Sequence, residues 1–177
     1  MSKRLRIWLF VLLGTLLTST TLFAQRITMT TSKSIGDRIE LNIRANGYVS
    51  IDGVWESVQT EGSGKYYTLT SQTVTIRGDV TELVCSKNQL TSLDVSKNTA
   101  LTTLSCGGNQ LTSLDLSKNT ALTELNCCCN QLTSLNVSGC TILTQLDCFN
   151  NQLTSLNISK NIFLTPVSYT HLRAHET

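Results

Sequence analysis

Residues 101–121 read LTTLSCGGNQLTSLDLSKNTA, and residues 122–142 read LTELNCCCNQLTSLNVSGCTI. The two segments have the same length and agree at most of their leucine, asparagine, threonine and serine positions. The same pattern occurs in residues 80–100 and 143–163, so the chain contains four in-register units with a period of 21 residues. This short period predicts a stack of similar coils, because one coil cannot bury its apolar edge alone, whereas stacked coils can.

Within a unit, the apolar positions predict a short strand followed by a return across the core. Leu104 and Cys106 are two residues apart, so their side chains point to the same side of the predicted strand. Leu111, Leu114 and Leu116 then bring the chain back across the core. We therefore expect each unit to contain a strand, a bend, an apolar return segment and a second bend.

Three positions of the unit predict ladders of side chains that repeat from coil to coil. In a bend, a side-chain amide can satisfy backbone groups that the turn takes out of the sheet. The first bend contains Asn88, Asn109, Asn130 and Asn151, and the second contains Asn98, Asn119, Cys140 and Asn161. The inward position of the strand contains Cys85, Cys106, Cys127 and Cys148.

The inward cysteines predict buried thiols rather than disulfides or metal ligands. A free cysteine packs as a small apolar side chain, and side chains stacked in parallel register lack the twisted dihedral angle of a disulfide. A metal needs ligands that converge on one point, whereas a ladder spreads them along a line. Cys128 and Cys129 should lie near the outward face, either as cross-linking thiols or as neutral variation in one unit.

The units resemble the short leucine-rich repeats of internalin-type bacterial surface proteins, especially the subgroup in which a cysteine ladder replaces a buried leucine. They are also similar to secreted repeat proteins of Bacteroidetes-like bacteria. The resemblance rests on the pattern L-T-x-L-x-C-x-x-N and covers roughly residues 69–165. It implies a leucine-rich-repeat solenoid, with a curved parallel β-sheet on the concave side and extended or 3-10 segments on the convex side. Members of this family are typically adhesins or host- and matrix-binding proteins.

The segments outside the four units suggest the domain organisation. Residues 1–24 have a basic head, a short apolar run and a small residue before Gln25, which predicts a signal peptide. Residues 25–68 alternate apolar and polar side chains and contain turn signals such as Asn46-Gly47, which predicts a small β-rich N-terminal cap. Leu69-Thr70-Ser71 matches the second half of a unit, so we expect the repeats to begin at residue 69.

The C-terminal end breaks the pattern. Leu164-Thr165 begins a fifth unit, and residues 166–177, which contain the only proline and both histidines, resemble a translated sequencing adapter. We therefore expect a truncated fifth repeat followed by a non-native tail. A solenoid end without a polar cap exposes leucines and strand edges, which predicts self-association through the C-terminal end.

Charge and export signals narrow the class of partner. The formal net charge is +2, and no basic run follows the leader, so nucleic acid is not expected to bind. A cleaved signal peptide predicts a bacterial protein that is secreted or displayed at the cell surface, without a transmembrane span after cleavage.

Comparison of the four units separates positions that maintain the stack from positions that vary. The varied positions surround the outward face of the strand, where repeat proteins bind their partners. The candidate ligand-binding residues on this concave face are Glu82, Val84, Lys87, Thr103, Ser105, Glu124, Asn126, Gln145, Asp147, Phe149 and Asn150. Small polar groups with one aromatic ring suit a protein or carbohydrate ligand. The alternative is unselected variation of solvent-facing residues, which the glycine pair at 107 and 108 favours.

The sequence contains no recognisable catalytic motif. There is no nucleophile elbow, phosphate-binding loop or metal-spaced His/Glu pair, so we expect no enzymatic activity, no cofactor and no metal. Asp94 and Asp115 occupy equivalent positions and are expected to support the stack. Arg77-Gly78-Asp79 matches an integrin-recognition tripeptide, but Gly78 is explained more simply by a bend. We therefore expect an adhesin-like binding module; the alternatives are a targeting arm of a larger secreted enzyme and a structural surface-layer spacer.

Overall fold

The computed structural model describes residues 25–56 and 64–165. The expected signal peptide and the expected non-native tail lie outside the described residues. The strands in these ranges are β1 (Arg26–Thr31), β2 (Arg38–Ala45), β3 (Ser50–Asp52), β4 (Val54–Glu56), β5 (Lys65–Leu69), β6 (Thr73–Arg77), β7 (Val80–Val84), β8 (Leu90–Asp94), β9 (Thr103–Ser105), β10 (Glu124–Asn126) and β11 (Gln145–Asp147). Of the extended or 3-10 segments expected on the convex side, the described residues contain the extended kind: extended segments and turns connect the strands, and no 3-10 turn occurs in these ranges.

The strands form two sheets, with the orders β11-β10-β9-β7-β2-β5-β4 and β3-β6-β1-β8. In the larger sheet, β7, β9, β10 and β11 are parallel and align the inward leucines of the four units. Strand β2 pairs with β7 in the antiparallel direction. The sheet is therefore mixed, and the expectation of a parallel sheet is right only for the part that the repeats form.

The N-terminal strands cover the first repeat coil on both of its sides. Strand β2 pairs with β7, and β1 pairs with β8, both antiparallel. Strand β1 also lies between β6 and β8. The segment after Leu69, which we expected to be the second half of a repeat, is thus separated by a whole strand from the second half of the first repeat. The domain boundary at residue 69 remains a prediction.

One apolar core runs through the N-terminal strands and the repeats. Ile27 and Leu41 from the N-terminal strands are buried together with the repeat leucines, of which Leu104 is typical. Each buried side chain of this size stabilises the fold by roughly 1.5–3 kcal/mol. At the last coil the core becomes less buried, because Leu156 and Ile158 are only partly buried, whereas their equivalents one unit earlier, Leu135 and Val137, are buried. Self-association through this end remains a prediction.

The asparagines of the first bend bind the backbone of two successive coils. Asn109 Nδ2 donates to the carbonyl oxygens of Cys106 (2.8 Å) and Cys85 (3.1 Å), one coil below. Its Oδ1 accepts from the backbone N–H groups of Asn88 and Leu90, both at 3.0 Å. A single side chain therefore satisfies four backbone groups in a bend that is closed to solvent.

This ladder extends into the N-terminal part of the chain. Asn130 and Asn151 each repeat three of these four contacts, one and two coils further on. In the first coil, Asn88 Nδ2 donates to the carbonyl oxygen of Glu40 at 2.7 Å, and Asn88 Oδ1 accepts from the backbone N–H of Glu40 at 3.0 Å. The Asn88 amide thus binds the backbone of β2 in the same way that Asn109 binds the backbone of the preceding coil.

The second bend contains a similar ladder with one substitution. Asn119 Nδ2 donates to the carbonyl oxygens of Asn98 (2.7 Å) and Val95 (3.1 Å). Asn161 makes the equivalent bonds one repeat beyond Cys140. At position 140 the thiol contacts a carbonyl only at 3.8 Å, so this coil has a weaker version of the same interaction.

Replacement of Asn119 by alanine should lower the free energy of unfolding by about 2 kcal/mol, because two buried carbonyl oxygens lose a donor. The measurement is urea denaturation followed by circular dichroism. Asn119→Cys is the matched control, since cysteine occupies this position in the next coil, and its loss should be smaller. Equal stability of Asn119→Ala and the unchanged chain would contradict the structural role of the ladder.

Candidate functional site

The outward side chains of three repeat strands line one open groove. Strands β9, β10 and β11 are in register, so their outward positions form rows across the sheet. The groove has a volume of about 530 Å³. We call it the repeat groove; its outward lining side chains are Thr103, Ser105, Glu124, Asn126, Gln145, Asp147 and Phe149. Seven of the candidate ligand-binding residues are therefore brought together, and their role in binding remains a prediction.

The other candidate residues lie elsewhere. Glu82 forms an ion pair with Arg44 of β2, with 3.2 Å between its Oε1 and the arginine Nη1. Val84 and Lys87 line a different groove. Asn150 is exposed in the turn that follows the last strand. Glu82 is thus engaged with the N-terminal part of the chain rather than with the repeat groove.

A second groove lies where the N-terminal strands meet the first repeat. Its volume is about 420 Å³. We call it the junction groove; it is lined by Lys33, Arg38, Glu40, Asn42, Gly64, Tyr66, Val84, Ser86, Lys87 and Asn88. Sequence reasoning missed the N-terminal members of this set. The alternating segment of residues 38–43 does predict outward polar side chains, but only the pairing of β2 with β7 places them beside the repeats.

The position after the strand has left-handed backbone in every unit. The φ angles are 58° at Lys87, 68° at Gly108, 55° at Cys129 and 52° at Asn150. A residue other than glycine, asparagine or aspartate costs about 1–2 kcal/mol in this conformation. Backbone geometry therefore restricts this position, and its variation between units is not free variation of a ligand-contacting surface.

The glycine pair of the second unit makes room for side chains of its neighbours. A Cβ at Gly108 would lie 3.0 Å from Lys87 Cγ. A Cβ at Gly107 would lie 2.9 Å from Asn126 Oδ1 and 3.0 Å from Cys128 Sγ. Side chains at these two positions would crowd Lys87 and Cys128, so the glycines leave the space that these two residues occupy.

Gly108→Ala should lower the free energy of unfolding by about 1–2 kcal/mol, because alanine is strained at this φ angle. Cys129→Gly is the opposite change at the same position of the next coil. It should leave the free energy of unfolding unchanged or raise it by up to about 1 kcal/mol. Chemical denaturation of both variants measures these free energies of unfolding. If both rise or both fall, the left-handed backbone does not restrict this position in the way described.

All seven cysteines are free, and the ladder cysteines are buried thiols. Burial raises the pKa of Cys85 to about 12, and it holds the pKa values of Cys106 and Cys127 well above their ordinary range. Cys128 is partly exposed, and burial together with a hydrogen bond that its thiol donates to Cys129 raises its pKa to about 11. Because the thiolate is the nucleophile and the metal ligand, these groups are poorly suited to either chemistry at neutral pH.

The equivalent carboxylates Asp94 and Asp115 act as turn acceptors. Asp94 Oδ1 accepts from the backbone N–H of Ser96, and Asp115 Oδ1 from that of Ser117, both at 2.9 Å. Hydrogen bonds from the side chain and backbone of Ser96 lower the pKa of Asp94, and those from the backbone and side chain of Ser117 lower the pKa of Asp115. The third and fourth units use asparagine for the same bond. The carboxylates therefore have a local structural explanation.

The described residues were also compared with the requirements of a metal site and of a membrane-spanning helix. Within residues 25–56 and 64–165, no group of three or more His, Cys, Asp or Glu side chains is arranged to hold a metal ion. No helix in the same ranges has the length and apolar character needed to cross a bilayer.

The double variant Asp94→Asn/Asp115→Asn should be less sensitive to acid than the unchanged chain. The lowered pKa values mean that these carboxylates stabilise the fold fully above their ordinary value of 3.8 and lose this effect as pH falls through the lower, folded-state values. The free energy of unfolding, measured by denaturation between about pH 5 and pH 2, should fall less steeply in the variant. If the free energy of unfolding falls equally steeply with pH in the two proteins, Asp94 and Asp115 do not stabilise the fold through their charged forms.

One family model matches part of the repeats. Residues 99–139 match the family model described as Leucine Rich repeats (2 copies), and the fold of the repeats is of the leucine-rich-repeat type. No curated protein matches the sequence. Among solved structures, the functional domain of InlJ from Listeria monocytogenes, described as including a cysteine ladder, is 40% identical, with a TM-score of 0.49. The match covers 55% of this chain and 22% of that one, so the matched part is less than a quarter of the chain in that structure.

Proposed function

We propose that this chain is a non-catalytic, adhesin-like module that binds a protein or glycan ligand through the repeat groove. The carrying observation is the convergence of outward side chains from three repeat strands on one open groove. The inward, bend and turn positions of each unit are occupied in holding the coils together, so the outward positions are those left for recognition.

The chemistry of the repeat groove suits a macromolecular ligand. Phe149 is 40% exposed at a position where an aromatic ring can serve as an anchor. Glu124 and Asp147 supply carboxylates, and none of the described residues that line the groove is lysine or arginine. Basic or polar groups of a partner that also offers an apolar contact are therefore favoured.

A binding role without catalysis is supported by the state of the reactive side chains. The equivalent aspartates accept turn hydrogen bonds, and the ladder thiols are buried. Export to the surface or exterior of a bacterium is part of the proposal and rests on the signal-peptide pattern of residues 1–24. The repeats could serve in a longer protein as an adhesin domain or as a targeting arm.

The proposal predicts saturable binding to purified, immobilised matrix proteins, measured by biosensor titration. The triple variant Glu124→Ala/Asp147→Ala/Phe149→Ala should weaken this binding at least about tenfold, because central aromatic and charged residues dominate interfaces. Thr112→Ala/Thr133→Ala/Thr154→Ala changes equivalent exposed positions in the return segments and is the matched control.

The control variant should bind as the unchanged chain does. Undiminished binding by the groove variant would exclude the repeat groove as the binding site. An equal loss in both variants would point to a general effect on the fold, which thermal denaturation of each protein checks independently.

A further inference from the structure

We propose that the junction groove is a second binding site, separate from the repeat groove, and that it takes an acidic glycan bearing carboxylate or sulfate groups. The groove combines three cationic side chains with one carboxylate and one aromatic ring. Its volume of about 420 Å³ lies within the usual range for small-ligand sites, roughly 300–1,000 Å³.

The cations come from three different segments of the chain. Arg38 lies at the start of β2, Lys33 precedes that strand, and Lys87 follows β7. Tyr66 of β5 and Val84 of β7 add a ring and an aliphatic surface. The one carboxylate, Glu40, lies against the backbone of Gly64. The N-terminal segments thus supply two cations, and the first repeat adds the third, Lys87.

Two of the three cationic side chains, those of Lys33 and Lys87, are positioned by contacts that exist without a ligand. Lys33 Nζ donates to the carbonyl oxygen of Arg38 at 2.6 Å. Lys87 has the left-handed turn conformation, and its side-chain stem passes over Gly108. Between these cations, the Asn88 side chain binds both the backbone N–H and the carbonyl oxygen of Glu40. Groups already held in place lose less conformational freedom when a ligand binds.

The floor of the junction groove favours a glycan over an acidic peptide. An extended peptide commonly binds by adding a strand to a free sheet edge. Here β2 pairs with β5 and β7, and the edge strands of the sheet are β4 and β11. Recognition must therefore use side chains, and anionic groups on sugar rings match cations placed around Tyr66 and Val84.

The lining residues of the junction groove and of the repeat groove have opposite charge, so the two grooves should bind different ligands. Among residues 25–56 and 64–165, the repeat groove is lined by Glu124 and Asp147 and by no cationic residue, whereas the junction groove contains Lys33, Arg38 and Lys87. A ligand that suits one groove is repelled by the other. An anionic ligand is therefore expected at the junction groove alone.

The test is isothermal titration of the protein with defined probes at physiological salt. The probes are a sulfated heparin-derived hexasaccharide, a carboxylated galacturonate hexasaccharide, neutral maltohexaose and an octaglutamate peptide. The variant Arg38→Gln/Lys87→Asn removes two groove charges. Asparagine suits position 87 because Asn150 has the equivalent left-handed backbone. Lys97→Asn/Lys118→Asn removes two exposed lysines from the other bends and is the matched control.

We expect at least one acidic hexasaccharide to bind, with maltohexaose and octaglutamate clearly weaker. Arg38→Gln/Lys87→Asn should weaken binding at least about tenfold, since charged hydrogen bonds are lost. The Lys97/Lys118 control should stay within about twofold of the unchanged chain, because distant surface charges are screened. Each single groove substitution should also weaken binding, which keeps the test decisive if the double variant folds poorly.

Three results would overturn the proposal. They are no binding of either acidic hexasaccharide, octaglutamate binding as tight as that of the hexasaccharides, and an equal loss in the Lys97/Lys118 control. The repeat-groove variant of Glu124, Asp147 and Phe149 should retain glycan binding. Failure of matrix-protein binding alone therefore counts against the proposed function, and failure of glycan binding alone counts against this second site.

Discussion

Each bend of this chain turns backbone groups away from the sheet into a region closed to solvent, where an unpaired carbonyl costs about 1–3 kcal/mol. The first-bend asparagines remove this cost by bonding their own coil and the coil below. Asn109, for example, joins the carbonyls of Cys85 and Cys106. Coil closure and coil stacking thus depend on the same side chain. The Asn88 side chain makes the same kind of hydrogen bonds with the backbone of Glu40, so the N-terminal strands form another layer of the stack.

This constraint largely decides which residues are available for function. Leucines and cysteines fill the inward positions, asparagines fill the bends, and the left-handed turn limits the position of Lys87 and its equivalents. The outward strand positions remain, together with the side chain of Lys87, which lies in the junction groove although its backbone is restricted. Because β2 and β5 continue the same sheet, the available surface extends from the repeats onto the N-terminal strands. The ion pair between Arg44 and Glu82 crosses this boundary.

The sequence predicted the features that follow from short-range periodicity. The 21-residue unit, the inward cysteines and both bend ladders occur where the spacing placed them. The antiparallel direction of β2 was not predictable, because alternation of apolar residues is the same for either strand direction. The left-handed position was also hidden, since Lys87 and Cys129 do not show the glycine that marks such a turn. The junction groove was missed because Arg38 and Lys87, 49 positions apart, meet only through this pairing.

The two grooves adjoin on one face, which affects what can bind there. Val84 of the junction groove and Ser105 of the repeat groove are paired neighbours on adjacent strands, which are about 5 Å apart. A long polyanion that followed the face from the junction groove would pass Glu124 and Asp147, and repulsion there would oppose its binding. The arrangement therefore favours a short or terminal acidic glycan over an extended polyanion. It also gives a physical reason for not expecting nucleic acid as a partner, because nucleic-acid binding needs a continuous basic surface.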